Sequence, residues 1–436
     1  MTMRTRTRVV GACLLAALAL AFLTAEGGDA AEGNGPAATA PTAPRGALLG
    51  APDFQPSPER PIGWRADGTG LYPAAEPVAK WSAKRNVLWT AKVGAGCSSP
   101  VLVGKRVVIT AEPDMLVCLD AATGKELWRT AHRLSDLPAA LHAEAPRLAE
   151  HYGDATPTVV SDGQWVWVFL NAGIVACHDL EGKSRWMTWY NTRLTTGYGR
   201  TATPVLAGNR LLVHFGPLLC LDASTGKLLW QNDKAKAGYG TPILARIGGV
   251  DVAITPKGHL VRVADGKTLA DQLGNCGYCS PVLSNGVVYF IDRTMTAVQL
   301  PEKAGDRIEC RELWCEDLEG DFFASPLIHD GRVYAVDRAA NYYVIDARTG
   351  KTILKKTLDL PPAGRIGAPN VYPSPCLAGK HLFVGNDAGD TALLEPGDQA
   401  TVVETNSVGA GSGGTPTFCG KRMFVRGGKL LYCIGE

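Results

Sequence analysis

The stretch that decides the fold is CLDAATGKELW, residues 118–128. It returns almost unchanged as CLDASTGKLLW at 220–230, and in trimmed form as CHDLEGKSRW at 177–186. Each copy leads from an apolar run through a short polar segment to a tryptophan. The polar segment is turn chemistry. A carboxylate can accept the backbone N–H groups just after it, and glycine supplies the positive φ that closes the turn. Asp120 and Asp222 are the capping carboxylates in this reading, and Gly124, Gly226 and Gly350 the turn glycines.

A second phrase recurs ahead of these turns: Ser or Thr, then Pro, an apolar run, a turn and another apolar run. It reads SSPVLVGKRVVI from Ser98, TPTVVSDGQWVWVFL from Thr156 and TATPVLAGNRLLVHF from Thr201. It continues as TPILARIGGVDVAI from Thr241, SPVLSNGVVYFI from Ser280 and SPLIHDGRVYAV from Ser325, then SPCLAGKHLFVG from Ser374 and TPTFCGKRMFVR from Thr415. The eight prolines are Pro100, Pro157, Pro204, Pro242, Pro281, Pro326, Pro375 and Pro416. Their spacing brackets the roughly 40–50-residue period of propeller blades.

One unit parses into four strands, at residues 156–160, 164–170, 174–179 and 184–190. In the second of these, Trp165, Trp167 and Phe169 alternate with Val166, Val168 and Leu170. A strand apolar on both faces belongs to a sheet packed on both sides, as a blade between two blades is. The expectation is an all-β, eight-bladed β-propeller of four-stranded antiparallel blades. Trp128, Trp186, Trp230 and Trp314 then lie on outer strands and pack toward the neighbouring blade, so the TGK phrase is structural. The last unit has only three strands before Glu436, while NVLWTAKV at 86–93 carries Trp89 at the outer-strand position. This N-terminal strand is expected to pair with residues 430–434 and close the ring.

Composition fits such a body. The chain has 436 residues, 46% hydrophobic, with a net charge of +2, which gives no electrostatic case for nucleic acid. Arg4, Arg6 and Arg8 precede an apolar run at 9–25 and then small residues, so residues 1–31 read as a signal peptide. A retained anchor is the alternative, although the run is short for a membrane span. The mature chain is then expected to hold no integral membrane span, to be periplasmic, envelope-associated or secreted, and to be a monomer. Residues 32–60 are rich in Ala, Pro and Gly and read as a linker, leaving 61–436 for the propeller. Cys118, Cys177 and Cys220 share one column and read as small buried residues. Cys276 and Cys279 leave three readings open: unpaired thiols, a local disulfide, or a redox or metal pair. Cys310 and Cys315 point to opposite faces of a regular strand, which disfavours pairing.

The phrase resembles the tryptophan-docking motif A-x-D-x-x-T-G-K-x-x-W of the quinoprotein-type, or PQQ-like, β-propeller repeat family, with Cys in the Ala position. The likeness runs from about residue 64 to 436, and GWRADGTGLYP at 63–73 looks like the lead-in of exported bacterial members. That family holds quinone-dependent alcohol and glucose dehydrogenases, and also non-enzymatic propellers such as the outer-membrane assembly factor BamB. The enzymes carry PQQ and calcium over the central channel, and several have adjacent cysteines. This chain has no Cys-Cys pair and no C-x-x-C-H haem site.

The segments leading into the innermost strands crowd one mouth of a propeller channel, the default place for a ligand. Here they carry Tyr152 and Asp154, Tyr198 and Arg200, Tyr239, Tyr278, Asp321, Phe323, Asn370 and Tyr372, while the first and last lead-ins are glycine-rich. An aromatic rim with few acids suits stacking and amphipathic contact better than a calcium cage. The expected role is a binding or scaffold module for a protein, peptide or glycan, with no catalytic residue, metal or cofactor. The alternative is a PQQ- and calcium-dependent alcohol or sugar dehydrogenase.

Overall fold

Eight sheets follow one another along the chain, six of them built by consecutive strands that pair as simple antiparallel neighbours; the last two each take in a strand from the N-terminal part of the chain. The computed structural model describes residues 46–137, 156–170, 172–190, 201–214, 216–236, 238–362 and 370–436. Blades 1 to 7 begin at residues 101, 160, 205, 243, 282, 327 and 376, and blade 8 at 417. The architecture is the eight-bladed all-β propeller expected from the repeats. Among the described residues the one helical element is a 3-10 turn at Leu134–Asp136.

The ring closes through the N-terminal strand. Val87–Lys92 pairs antiparallel with Leu430–Ile434, with Thr90 opposite Tyr432, and so supplies the outer strand of blade 8. Blade 8 would otherwise end on an open edge.

The tryptophans bridge from blade to blade. Trp89 Nε1 donates to Ala121 O at 3.2 Å, Trp128 to Leu180 O at 2.9 Å, Trp186 to Ala223 O at 3.1 Å, Trp230 to Val263 O at 2.9 Å and Trp314 to Ala347 O at 3.0 Å. Each acceptor follows, by one residue, the Asp or Arg that opens the next blade's outer turn. Each ring also lies on that turn's glycine: a Cβ on Gly124, Gly182, Gly226, Gly266 or Gly350 would fall 2.5–2.7 Å from the indole. The glycine therefore serves twice, once for its positive φ and once for the missing side chain. Asp120 Oδ1 caps its turn by accepting from Ala122 N, Thr123 N and Thr123 Oγ1, which holds its carboxyl below the usual range.

Around the channel, the hydroxyl at the start of each inner strand ties blades together. Going round the ring, the N–H groups of Thr203, Thr241, Ser280, Ser325, Ser374, Thr415 and Ser99 each donate to the next hydroxyl, at 2.8–3.1 Å, ending on Thr158. Blade 2 differs from its sequence reading here. Thr158, not Thr156, occupies the ring position, and Pro157 lies one residue ahead of it rather than one behind. The inner strand of that blade is correspondingly Val160–Ser161 and does not extend back to 156.

Part of the stretch read as linker is integrated into the fold. Gly50 O accepts from Gly420 N, Leu49 is buried, and Gln55 and Pro56 pack on the inner turns at Gly104 and Gly163. From there the chain crosses the channel. Ile62 exchanges backbone hydrogen bonds with Ser161 of blade 2, and Leu71–Tyr72 adds in parallel to Cys376–Ala378, the inner strand of blade 7. Arg65 is driven into the centre, 2% exposed, donating to Pro326 O, Pro375 O and Thr69 O. Burial lowers its pKa, and nearby groups such as Asp67 offset the desolvation only in part. The plug closes the face that carries the inner turns and leaves the opposite face, which carries the lead-ins, uncovered by it.

Candidate functional site

The lead-ins gather at that opposite face because each ends at a hydroxyl of the ring. Counting two residues back from each hydroxyl gives one column: Cys97, Thr156, Thr201, Tyr239, Tyr278, Phe323, Tyr372 and Gly413. Four consecutive members are aromatic, so equivalent positions on blades 4 to 7 bring four rings together. Tyr239 and Tyr278 are stacked with centroids 5.3 Å apart, Tyr278 and Phe323 are tilted at 4.3 Å, and Phe323 and Tyr372 meet edge-on at 5.2 Å. The offset and edge-on geometries suit the ring quadrupoles. The arc is half-buried, and Tyr372 at its end is 39% exposed. A Cβ on Gly413 would fall 3.4 Å from the Tyr372 Cβ, so the column continues as bare backbone onto blade 8.

Polar groups flank the arc unevenly. The Arg338 guanidinium lies 5.8 Å over the Phe323 ring, and Arg338 N donates to Asp321 O. Asp321 is exposed at the rim. Asn370 is buried with φ 51° and braces two neighbours, since its carbonyl accepts from Tyr372 N and Asp387 N. Asp387 stands on the glycine-rich side. Its Oδ1 is buried without a hydrogen-bond partner among the described residues, and desolvation raises its carboxyl pKa. Beneath Cys97, Arg426 is 2% exposed and donates to Ser98 Oγ, Thr110 O and Gly94 O. Burial pushes it down to about 10. Its Nη1 and Nη2 point at protein carbonyls and a hydroxyl, so it braces the small-residue half of the mouth.

Of the ten residues expected at the mouth, Tyr239, Tyr278, Phe323 and Tyr372 form the contact arc, and Asp321 and Asn370 sit beside it. Tyr152, Asp154, Tyr198 and Arg200 lie outside the described residues. Phe322, neighbour of Phe323, turns the other way, buried against Tyr343. Sequence reasoning missed Arg338, Asp387, Arg426 and the channel-crossing Arg65. The column two residues ahead of each hydroxyl was a readable signal for the arc. Nothing in the sequence marked the isolated charges.

A calcium–quinone pair needs several hard oxygen donors converging on one point. Among the described residues no three His, Cys, Asp or Glu side chains are placed to hold a metal ion. All eleven described cysteines are free thiols. Cys276 and Cys279 are both buried, and contact with Cys276 together with burial raises the Cys279 thiol well above its ordinary value.

Comparison with known proteins places this geometry. The family model described as outer membrane protein assembly factor BamB matches residues 75–173, 171–270 and 259–398. The outer membrane protein assembly factor BamB of Yersinia pestis is 23% identical over 366 residues, covering 78% of this chain and 86% of that protein. A quinoprotein ethanol dehydrogenase of Pseudomonas aeruginosa is 29% identical over 175 residues, covering 37% of this chain and 26% of the enzyme. The crystal structure of BamB from Moraxella catarrhalis superposes with a TM-score of 0.53 at 12% identity, over 78% of this chain and 94% of that one, which speaks for the fold. With its repeats matched across most of the ring, the chain belongs to the PQQ-like β-propeller family described as outer membrane protein assembly factor BamB.

Proposed function

We propose that this propeller is a binding or scaffold module that receives a protein or peptide partner at the lead-in mouth. The observation that carries the reading is the arc Tyr239–Tyr278–Phe323–Tyr372, four touching rings on rigid blades beside a small-residue half. Aromatic side chains with little conformational freedom, set around a shallow depression, are what protein interfaces use as anchors. Family membership supports a partner that is a protein, since the Yersinia pestis relative is named for the assembly of outer membrane proteins. A glycan stacking on the same rings is the variant with the same chemistry. The N-terminal segment 1–31 is proposed to export the chain to the periplasm or envelope, where such a partner would be met. Among the described residues no helix is long and apolar enough to cross a membrane.

The test is co-purification from the envelope of the cells that make the protein, comparing the unaltered chain with Tyr278→Ser/Phe323→Ser. A discrete partner held by the first and lost by the second supports the reading. Equal capture by both, or none by either, contradicts it.

The matched stretch of the quinoprotein ethanol dehydrogenase keeps a second reading alive. It is tested by adding PQQ and calcium and following dye-linked ethanol oxidation. The proposal expects none. Turnover abolished by Arg200→Ala or Asp154→Ala would replace it with an oxidoreductase.

A further inference from the structure

The plug does not cover its face of the channel completely. Residues 61–69 cross from blade 2 and leave a half-open cavity of about 240 Å³ against the inner strands of blades 3 to 5. That equals the liquid volume of about eight waters. Its wall is mainly apolar, with Trp64 on the plug facing Val205, Leu206, Ile243 and Leu244 on the blades. The inner strands Val205–Ala207, Ile243–Ile247 and Val282–Ser284 each end their sheets on the channel side.

We propose that this cavity is a second binding site, separate from the mouth, that takes a short extended peptide with apolar side chains and one basic group. Two observations choose the occupant. First, extended backbone already pairs with inner strands elsewhere on the same ring. Leu71–Tyr72 pairs along the inner strand of blade 7, and Ile62 pairs with Ser161 on blade 2. The cavity offers inner strands of blades 3 to 5 that have no such neighbour among the described residues, and strand addition takes its affinity from main-chain hydrogen bonds and its selectivity from side-chain pockets. Second, Asp67 is the single charged residue in the lining among the described residues, and it is exposed. Its Oδ1 is engaged by Thr69 N and Thr69 Oγ1, which fixes the carboxylate at the cavity edge. One fixed negative charge beside an apolar slot selects a lysine, an arginine or a free amino terminus.

Titration calorimetry on the full chain, with the capped tetrapeptides Ac-VIVK-NH2, Ac-VIVE-NH2 and Ac-GSGK-NH2, tests this. The first peptide is expected to bind at least fivefold more tightly than the other two. Asp67→Asn should remove the preference for lysine over glutamate while keeping the apolar requirement. Leu244→Trp, which fills the slot, should abolish binding. Amide exchange on the unaltered chain should slow at 205–207 and 243–247 when Ac-VIVK-NH2 is bound, a readout that does not depend on any variant folding. Tyr278→Ser/Phe323→Ser should leave this binding intact, which separates the site from the mouth. The proposal is overturned if Ac-VIVK-NH2 fails to bind, if the lysine preference survives Asp67→Asn, or if protection appears elsewhere.

Discussion

The backbone N–H of Thr415 donates to the Oγ of Ser99 at 2.9 Å, across 316 positions of sequence. Blade 8 is thereby tied to blade 1 by the same bond that joins blade 3 to 4 and each later pair in turn. Both residues are buried, so neither group has water as a substitute partner. Ser99→Ala should leave the Thr415 N–H orphaned and lower stability by about 1–3 kcal/mol. Ser99→Thr, which keeps the hydroxyl, should restore most of it. Equal urea midpoints for Ser99→Ala and the unaltered chain would refute this.

Trp128 bridges blades 1 and 2 through its ring on Gly182 and its Nε1 bond to Leu180 O. Trp128→Ala should cost about 3–5 kcal/mol, the range for removing a packed aromatic. Trp128→Phe loses the hydrogen bond and part of the ring and should cost less. The loss should appear in thermal melting and leave partner capture at the mouth unchanged below the melting range.

Arg65 is a buried cation that donates to three backbone carbonyls, with Nε unpaired among the described residues. Removing the side chain opens a hole in the plug, whereas an apolar chain of similar length fills it and spares the desolvation cost. Arg65→Ala is therefore expected to destabilise more than Arg65→Met. Urea unfolding of the two variants checks the order, and the reverse order would show that an apolar chain does not fit the space the guanidinium fills.

These residues also mark what the sequence could and could not tell. The blades, their number and the closing strand were legible, because turn chemistry like that of Asp120–Gly124 and alternation like that in 164–170 recur along the chain at roughly blade-length spacing. The phase of blade 2 was misread because Thr156-Pro157 imitates the ring phrase, while pairing of Val160 with Trp167 sets the true register. The plug was unreadable in a different way. Arg65 and Ala66 both take positive φ, which neither residue advertises, and Arg65 is held there by partners hundreds of residues away. At the mouth, the tyrosines of the arc could be named from sequence. Their contact follows from ring geometry, and Asp387 reaches the site from a turn and Arg426 from the strand Arg422–Gly427, neither with a repeated signature.

Buried histidines give the fold an acid limit. His132 and His178 meet through their Nε2 atoms at 2.7 Å between blades 1 and 2, with His132 Nδ1 at Asp114 O and His178 Nδ1 at Gly182 O. Asp114, Asp136 and Asp179 are the nearby acids among the described residues, yet burial dominates. It lowers His132 and takes His178 to about 4. His214, fully enclosed near His259, also falls to about 4. Folded pKa values below the ordinary 6.5 mean that the unfolded chain binds more protons in that window. Stability is then full above about pH 6.5 and declines as pH falls toward 4. Replacing His214 by Leu should flatten the slope of unfolding free energy near pH 5 by about 1.4 kcal/mol per pH unit. An unchanged slope would mean that His214 is protonated in the folded protein.

The central claim is that the aromatic mouth is where the partner sits, and cross-linking inside the native envelope tests it most directly. Benzoylphenylalanine would replace Tyr372, at the exposed end of the arc, and in a parallel strain Leu229, which is 47% exposed on the outer strand of blade 3. Irradiation is predicted to give one discrete protein adduct from position 372 and none from 229. No adduct at 372, or the same adduct from both positions, would contradict the account.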